Sequence, residues 1–229
     1  ESSLIFGGVR KVIELCVLLS SELGASGWRQ HEHLLNKVKQ TARQIGRIAS
    51  GKGPNYKKRL KKPYRKLLDR AQKVLCRAKK LCETAEQESA FNIRAMGHIA
   101  EIKLFIERTE QVCNTARRRV LQGERVGNEE KLFSIFEPHT QLYKRGKAGQ
   151  PIQFGRLVLI YEDAAGFLTH HHVMPRDAQD RGVLVEQTRI LQDRLCGQIE
   201  EASFDRGFHS PENQQRLAQI IPHPCLPKP

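Results

Sequence analysis

LDRAQKVLCRAKKLCETA, residues 68–85, sets Leu68, Ala71, Leu75, Ala78, Cys82 and Ala85 at alternating intervals of three and four. An α-helix turns once in 3.6 residues, so these six side chains form one seam. A seam of that heptad-like spacing predicts a helix packed against another helix. Arg70, Lys73, Arg77, Lys79 and Lys80 fall between the seam positions and project outward. A similar stripe, Leu35, Val38, Ala42 and Ile45, predicts a helix upstream. A third, Ile99, Ile102, Ile106, Cys113, Ala116 and Val120, predicts a long helix over 90–121. Gly and Pro in GKGPNYKKRLKKP (51–63) break the pattern, and the stretch reads as a basic loop.

Charge follows the same division. Residues 1–130 hold 27 Lys+Arg against 14 Asp+Glu, whereas 131–229 hold 12 against 11. Within the first part, 52–80 contains 13 basic residues and a single acid, Asp69. A net magnitude of about 2–8 is enough to keep a small domain soluble, so this density points to a polyanion partner. Duplex nucleic acid suits it best, with Lys57, Lys58, Arg59, Lys61 and Lys62 as the densest contact run. Aromatic residues make up 6% of the chain, too few for a platform that stacks single-stranded bases. No Trp/Phe-rich helix face suggests an interfacial anchor.

The 229 residues, 39% hydrophobic with a mean hydropathy of −0.53, suffice for one large or two small domains. The apolar run VIELCVLLS (12–20) is far short of the ~20 residues a membrane span requires. ESSLIFGG at the start has no basic n-region, and the chain reads as a fragment open at both ends. The six cysteines (16, 76, 82, 113, 196, 225) include no C-x-x-C, so reduced thiols are expected rather than a disulfide framework or a sulfur-ligated zinc. HEH (31–33) lacks the spacing of H-E-x-x-H, and HHH (170–172) reads as exposed histidines on a strand.

Beyond residue 130 the period changes. KLFSIFE (131–137), IQFGRLVLIYED (152–163) and GFLTHHHVM (166–174) read as strands, the last two joined by a tight DAAG turn. A helix over 179–197 presents Leu184, Thr188, Leu191 and Leu195. EEASF (200–204) reads as a fourth strand, and SPENQQRLAQII (210–221) opens a helix with Ser210 as N-cap and Pro211 at its first position. The order β-β-β-α-β-α matches a ribonuclease H-like mixed sheet. The expected class is α/β (α+β), with a basic helical DNA-binding region at 1–125 and an incomplete catalytic core at 126–229.

In that topology the first and fourth strands are parallel neighbours, so Glu137 and Asp205 at their ends would converge. Two carboxylates at one sheet edge are what Mg²⁺ (or Mn²⁺) ions clamping a phosphodiester require. Glu162 and Asp163 would fall at the opposite edge. The loop 138–151 carries Lys144, Arg145 and Lys147, and Arg206 follows Asp205; all four suit a phosphate backbone passing over the carboxylates. The other reading of Asp205 is an ordinary turn or cap residue.

SIFEPHT (134–140), the longer EEKLFSIFEPHTQLYKRGKAGQPIQFGRLVLIYED around it, FDRGFHSPEN (204–213) and CLPK (225–228) resemble insertion-sequence DDE transposases of the ISNCY-like group. The resemblance covers at least 111–229. It implies a ribonuclease H-like core whose Mg²⁺ ions activate water and then a 3′-hydroxyl to cut and join DNA. It also implies double-stranded DNA (transposon ends and target) as partner, a homo-oligomer assembled on it, and a bacterial cytoplasmic, nucleoid-associated setting. Asp205 matches the second acidic position. The first falls to Glu137 or to the place occupied by Asn114, and the third is expected on a helix beyond Pro229. A ribonuclease H-like nuclease and a DNA-binding fragment without catalysis are the competing readings.

Overall fold

Tyr64, Leu67, Leu68, Ala71, Val74, Leu75, Ala78, Cys82 and Ala85 all turn inward from one helix, α3 (Tyr56–Glu88), in the computed structural model of the chain. The structure describes residues 1–51, 53–88, 92–144, 151–175 and 178–228. Every member of the 68–85 seam is therefore buried, as its spacing predicts. The helix begins earlier than expected: 56–63, read as loop, forms its first two turns, with Pro63 inside it. Leu60, Pro63 and Tyr64 continue the inward stripe, so packing outweighs the hydrogen bond that proline cannot make. Asn55, at φ 58°, reverses the chain just ahead of α3.

Three other helices complete this unit: α1 (Ser2–Glu22), α2 (His31–Gly51) and α4 (Ile93–Ala116). α1 packs against α2, α3 and α4, and α3 against α2 and α4. Their core joins Ile5, Val9, Val12, Cys16 and Leu19 of α1 to Val38 and Ile45 of α2 and to Ile99, Ile102 and Ile106 of α4. The Asn92 side chain accepts from the Ala95 N–H and starts α4, which runs on into a π-helical segment, Arg117–Gln122, ended by Gly123 at φ 78°. Lys11–Glu101 and Lys79–Glu110 ion pairs, at 2.9 and 2.7 Å, link α4 to α1 and α3 at half-exposed positions where such pairs add little stability.

The stretch 131–137 departs from expectation. It is irregular rather than a strand, and Ile135 is buried in the helical core. The Arg108 guanidinium donates to the Ile135 carbonyl at 3.0 Å, and Phe136 tilts against Phe105 with centroids 5.7 Å apart. Gly8 makes the space: a Cβ there would overlap Thr109 Oγ1 and meet Ile135 Cδ1 at 2.5 Å. A short apolar run fills a notch between helices as readily as it joins a sheet, and here the notch wins.

The chain divides into two units, Glu1–Lys144 and Arg145–Pro229. Val126–Lys144, expected in the second domain, thus belongs with the helices; it ends in a short strand, β1 (Gln141–Lys144), inside the expected loop. In the second unit, 152–163 is two strands, β2 (Ile152–Gly155) and β3 (Val158–Glu162), interrupted after Gly155 at φ 151°. β3 pairs antiparallel with β4 (Leu168–Val173), from Val158 opposite Val173 to Glu162 opposite Leu168. The expected turn joins them: Asp163 Oδ1 accepts from the Ala165 and Phe167 N–H groups, both at 2.9 Å.

The helix expected at 179–197 is α5 (Asp180–Arg194), with Leu184, Thr188 and Leu191 buried. The expected strand at 200–204 is β5 (Glu201–Ser203), but its parallel partner is β6 (His223–Cys225), not 131–137. Between them lie a 3₁₀ turn, Arg206–Phe208, and α6 (Pro211–Leu217), where Ser210 Oγ accepts from the Asn213 N–H as the N-cap reading predicts. Leu184, Val185, Leu217 and Leu226 form the core of this unit. His170 corrects the exposed-strand reading of HHH: it is buried, and its Nε2 donates to Gln187 Oε1 at 3.0 Å. Helices and small two-stranded sheets coexist, an α+β composition.

Candidate nucleic-acid interface

Because the seam of α3 faces the bundle, everything a half-turn away faces solvent. Lys57, Lys58, Arg59 and Lys62 are exposed on the first two turns, and Lys61 is half-buried. Arg65, Lys66, Lys73, Arg77 and Lys80 carry the outward basic face on, with Asp69 its one acid. From Lys58 to Lys80 the face is about 33 Å long at 1.5 Å per residue, close to one turn of B-form DNA. Lys79 is drawn to Glu110, and Arg70 turns aside to donate to the Lys37 carbonyl and Thr41 Oγ1. Among the described residues no carboxylate lies within ion-pair distance of the other basic side chains on this face. Lys73, Cys76, Arg77 and Lys80, with Asp69 and Gln72, line a shallow groove of about 560 Å³ along it.

Arg77 has a partner that sequence spacing does not reveal. Its guanidinium stacks over the buried ring of Trp28, with Cζ 4.8 Å from the centroid. Trp28 lies in the connection from α1 to α2, and its carbonyl accepts the His31 N–H. The lone tryptophan of a basic domain was the available signal.

The two carboxylates fare differently from the basic run. Glu137 is exposed at the end of an irregular segment, its N–H donating to Ser134 Oγ at 3.1 Å. The expectation that it ends a strand parallel to the one carrying Asp205 is corrected, because Ile135 anchors that segment among the helices. Asp205 is exposed, in extended conformation ahead of the 3₁₀ turn, and its carbonyl accepts the Phe208 N–H. Its side chain caps nothing there. Glu137 belongs to the helical unit and Asp205 to the C-terminal one.

Lys144 is exposed at the end of β1, and Arg206 is exposed beside Asp205. Arg145 and Lys147 lie outside the described residues. Asn114, the other place considered for the first acidic position, is exposed on α4. Glu162 and Asp163 are exposed at the hairpin turn, where Asp163 is engaged by the turn itself. Among the described residues no group of three or more His, Cys, Asp or Glu side chains stands together as a metal site. No helix among the described residues is long and apolar enough to cross a membrane.

No family model, curated protein or solved structure matches this chain.

Proposed function

We propose that the chain is part of an insertion-sequence-type DNA transposase whose helical unit grips duplex DNA through its phosphates. The observation that carries the reading is the outward face of α3, where Lys57, Lys58, Arg59, Lys61 and Lys62 lead into Arg65, Lys66, Lys73 and Lys80 without paired acids. A row of cations about one duplex turn long suits a regular polyanion better than a compact one. Contacts of this kind position a protein on DNA and carry no sequence preference by themselves.

The enzymatic half of the reading is cleavage and joining of DNA strands by a ribonuclease H-like core. What supports it is the quoted likeness around FDRGFHSPEN and the succession of hairpin, α5, β5 and α6. Asp205 is the carboxylate assigned to Mg²⁺ there, with Glu137 a weaker second. When bound, the metal would supply a polarised phosphodiester and an activated oxygen nucleophile. A second reading, DNA binding without catalysis, draws on the packing of Ile135, which holds the segment before Glu137 to the helices.

Anisotropy titration of a random-sequence duplex at increasing KCl tests the binding claim. The slope of log affinity against log salt should be about −0.9 per phosphate engaged, and replacing Lys57, Lys58, Arg59, Lys61 and Lys62 together by Gln should flatten it by several units. An unchanged slope would make this run a merely solvated face. Nicking of a supercoiled plasmid with Mg²⁺, lost in Asp205→Asn while duplex binding persists, separates the two readings. Binding with no nicking by the unaltered chain favours the second.

A further inference from the structure

Trp28 is the only tryptophan of the chain and is 4% exposed. The guanidinium of Arg77 lies across its face, 4.8 Å from the ring centroid. Gly27, at φ 127°, brings the backbone close: a Cβ there would stand 3.4 Å from Arg77 Nη2 and would also be strained. Ser26, Gly27, Arg29, Gln30, Leu34 and Arg77 line one recess of about 300 Å³. Two arginines thus line the same small space from different segments. Among the described residues no carboxylate lies within ion-pair distance of either arginine. Glu32, in the first turn of α2, is not part of the lining.

A surface arginine ordinarily samples many rotamers and keeps its charge in bulk water. Stacking on a buried indole fixes the plane of this one in advance, so less freedom is lost when it binds. Its planar fork matches the oxygens of a phosphate, and Arg29 adds a second positive residue to the same lining. Arg77 also lines the groove along α3, so the recess opens beside the basic face.

We propose that the recess bounded by Arg29, Arg77 and the backbone around Gly27 is a phosphate-binding site, which seats one phosphodiester of a DNA strand lying on α3. DNA as the source of the phosphate rests on the function proposed above; the recess as a phosphate site does not. Arg77, which lines the recess and stacks on the sole tryptophan, supplies the readout.

The full chain is titrated with pyrophosphate and, separately, with a short random-sequence duplex, while tryptophan emission is recorded. Both should change the emission saturably. Arg29→Gln, which leaves the Trp28–Arg77 stack intact, should weaken pyrophosphate binding about tenfold or more. Lys62→Gln with Lys66→Gln should weaken duplex binding and leave the pyrophosphate titration unchanged. No saturable response to pyrophosphate, or wild-type binding by an Arg29→Gln variant that melts like the wild type, overturns the site. Duplex binding seen by anisotropy with silent tryptophan emission overturns the seating of a DNA phosphodiester in the recess and leaves the DNA reading standing. A pyrophosphate response lost in Arg29→Gln, with no duplex binding by the unaltered chain, upholds the phosphate site and removes DNA as its occupant.

Discussion

The helical unit and the C-terminal unit answer the same physical problem with very different resources. α3 alone buries a seam from Tyr64 to Ala85 within a core drawn from all four helices. The C-terminal unit centres on Leu184, Val185, Leu217 and Leu226, with Tyr161, Phe204, Phe208 and Ile220 partly covered around them. Its strands run three to six residues, and Val158, Ile160, Leu168 and Val173 of the hairpin stay exposed. Two-stranded pieces of that size gain little on their own. The difference teaches that one chain can hold a self-sufficient basic platform beside a unit with little core in reserve.

Leu75→Ala should cost the helical unit about 2–5 kcal/mol, because its fully buried side chain has helices around it that cannot collapse into the space. Leu184→Ala, equally buried, should act on the C-terminal unit. Calorimetry should show each substitution lowering a different transition. A single transition moved by both would break the comparison.

Gly8→Ala sharpens it, since the added methyl must displace Thr109, whose hydroxyl donates to the Phe105 carbonyl at 2.6 Å, and Ile135. A destabilisation of about 1–3 kcal/mol in denaturant melts is expected. Ser210→Ala should cost about 1 kcal/mol by removing the acceptor for the Asn213 N–H, and should touch only the C-terminal unit.

The smallest effect is alkaline. Burial pushes the Cys82 thiol up to about 11 and the Cys113 thiol up to about 12, and raises Cys16 further, with the neighbouring Cys82 adding to it. Folded, these thiols stay neutral; unfolded, they ionise near their ordinary value. Their contribution is therefore complete below about pH 9 and is lost progressively as pH rises toward the folded values. Native alkylation at pH 8 should label the exposed Cys76, Cys196 and Cys225 and spare the other three. Labelling of all six in the folded chain would contradict the packing of the helical unit.

What could be read from the sequence follows the same division. A periodic seam repeated over five turns leaves one answer, so Leu68 to Ala85 were legible, as were the Ser210 cap and the Asp163 turn, whose chemistry is local. KLFSIFE offered no period, and its length suits a strand or a plug equally; only Gly8, more than a hundred positions upstream, distinguishes them. The basic run was legible as charge and misread as loop, because the rule for Pro63 competes with a stripe already set by Leu60 and Tyr64. The pairing of β5 with β6 was illegible for a simpler reason: HPC carries no strand signal of its own. The strand expected at 131–137 is absent, and with it goes the sequence argument for setting Glu137 beside Asp205.

Pro63 has a consequence for how the lysine-rich end of α3 moves. With no N–H at that position, the Arg59 carbonyl is left without the main-chain bond an uninterrupted helix would give it. The two lysine-rich turns before Pro63 are thus tied to the rest of α3 by a thinner set of backbone bonds than any later pair of turns. Amide protons of residues 60–62 should exchange with deuterium well before those of 67–85. Pro63→Ala should slow them, joining a segment that opens by itself to the cooperative unit behind it.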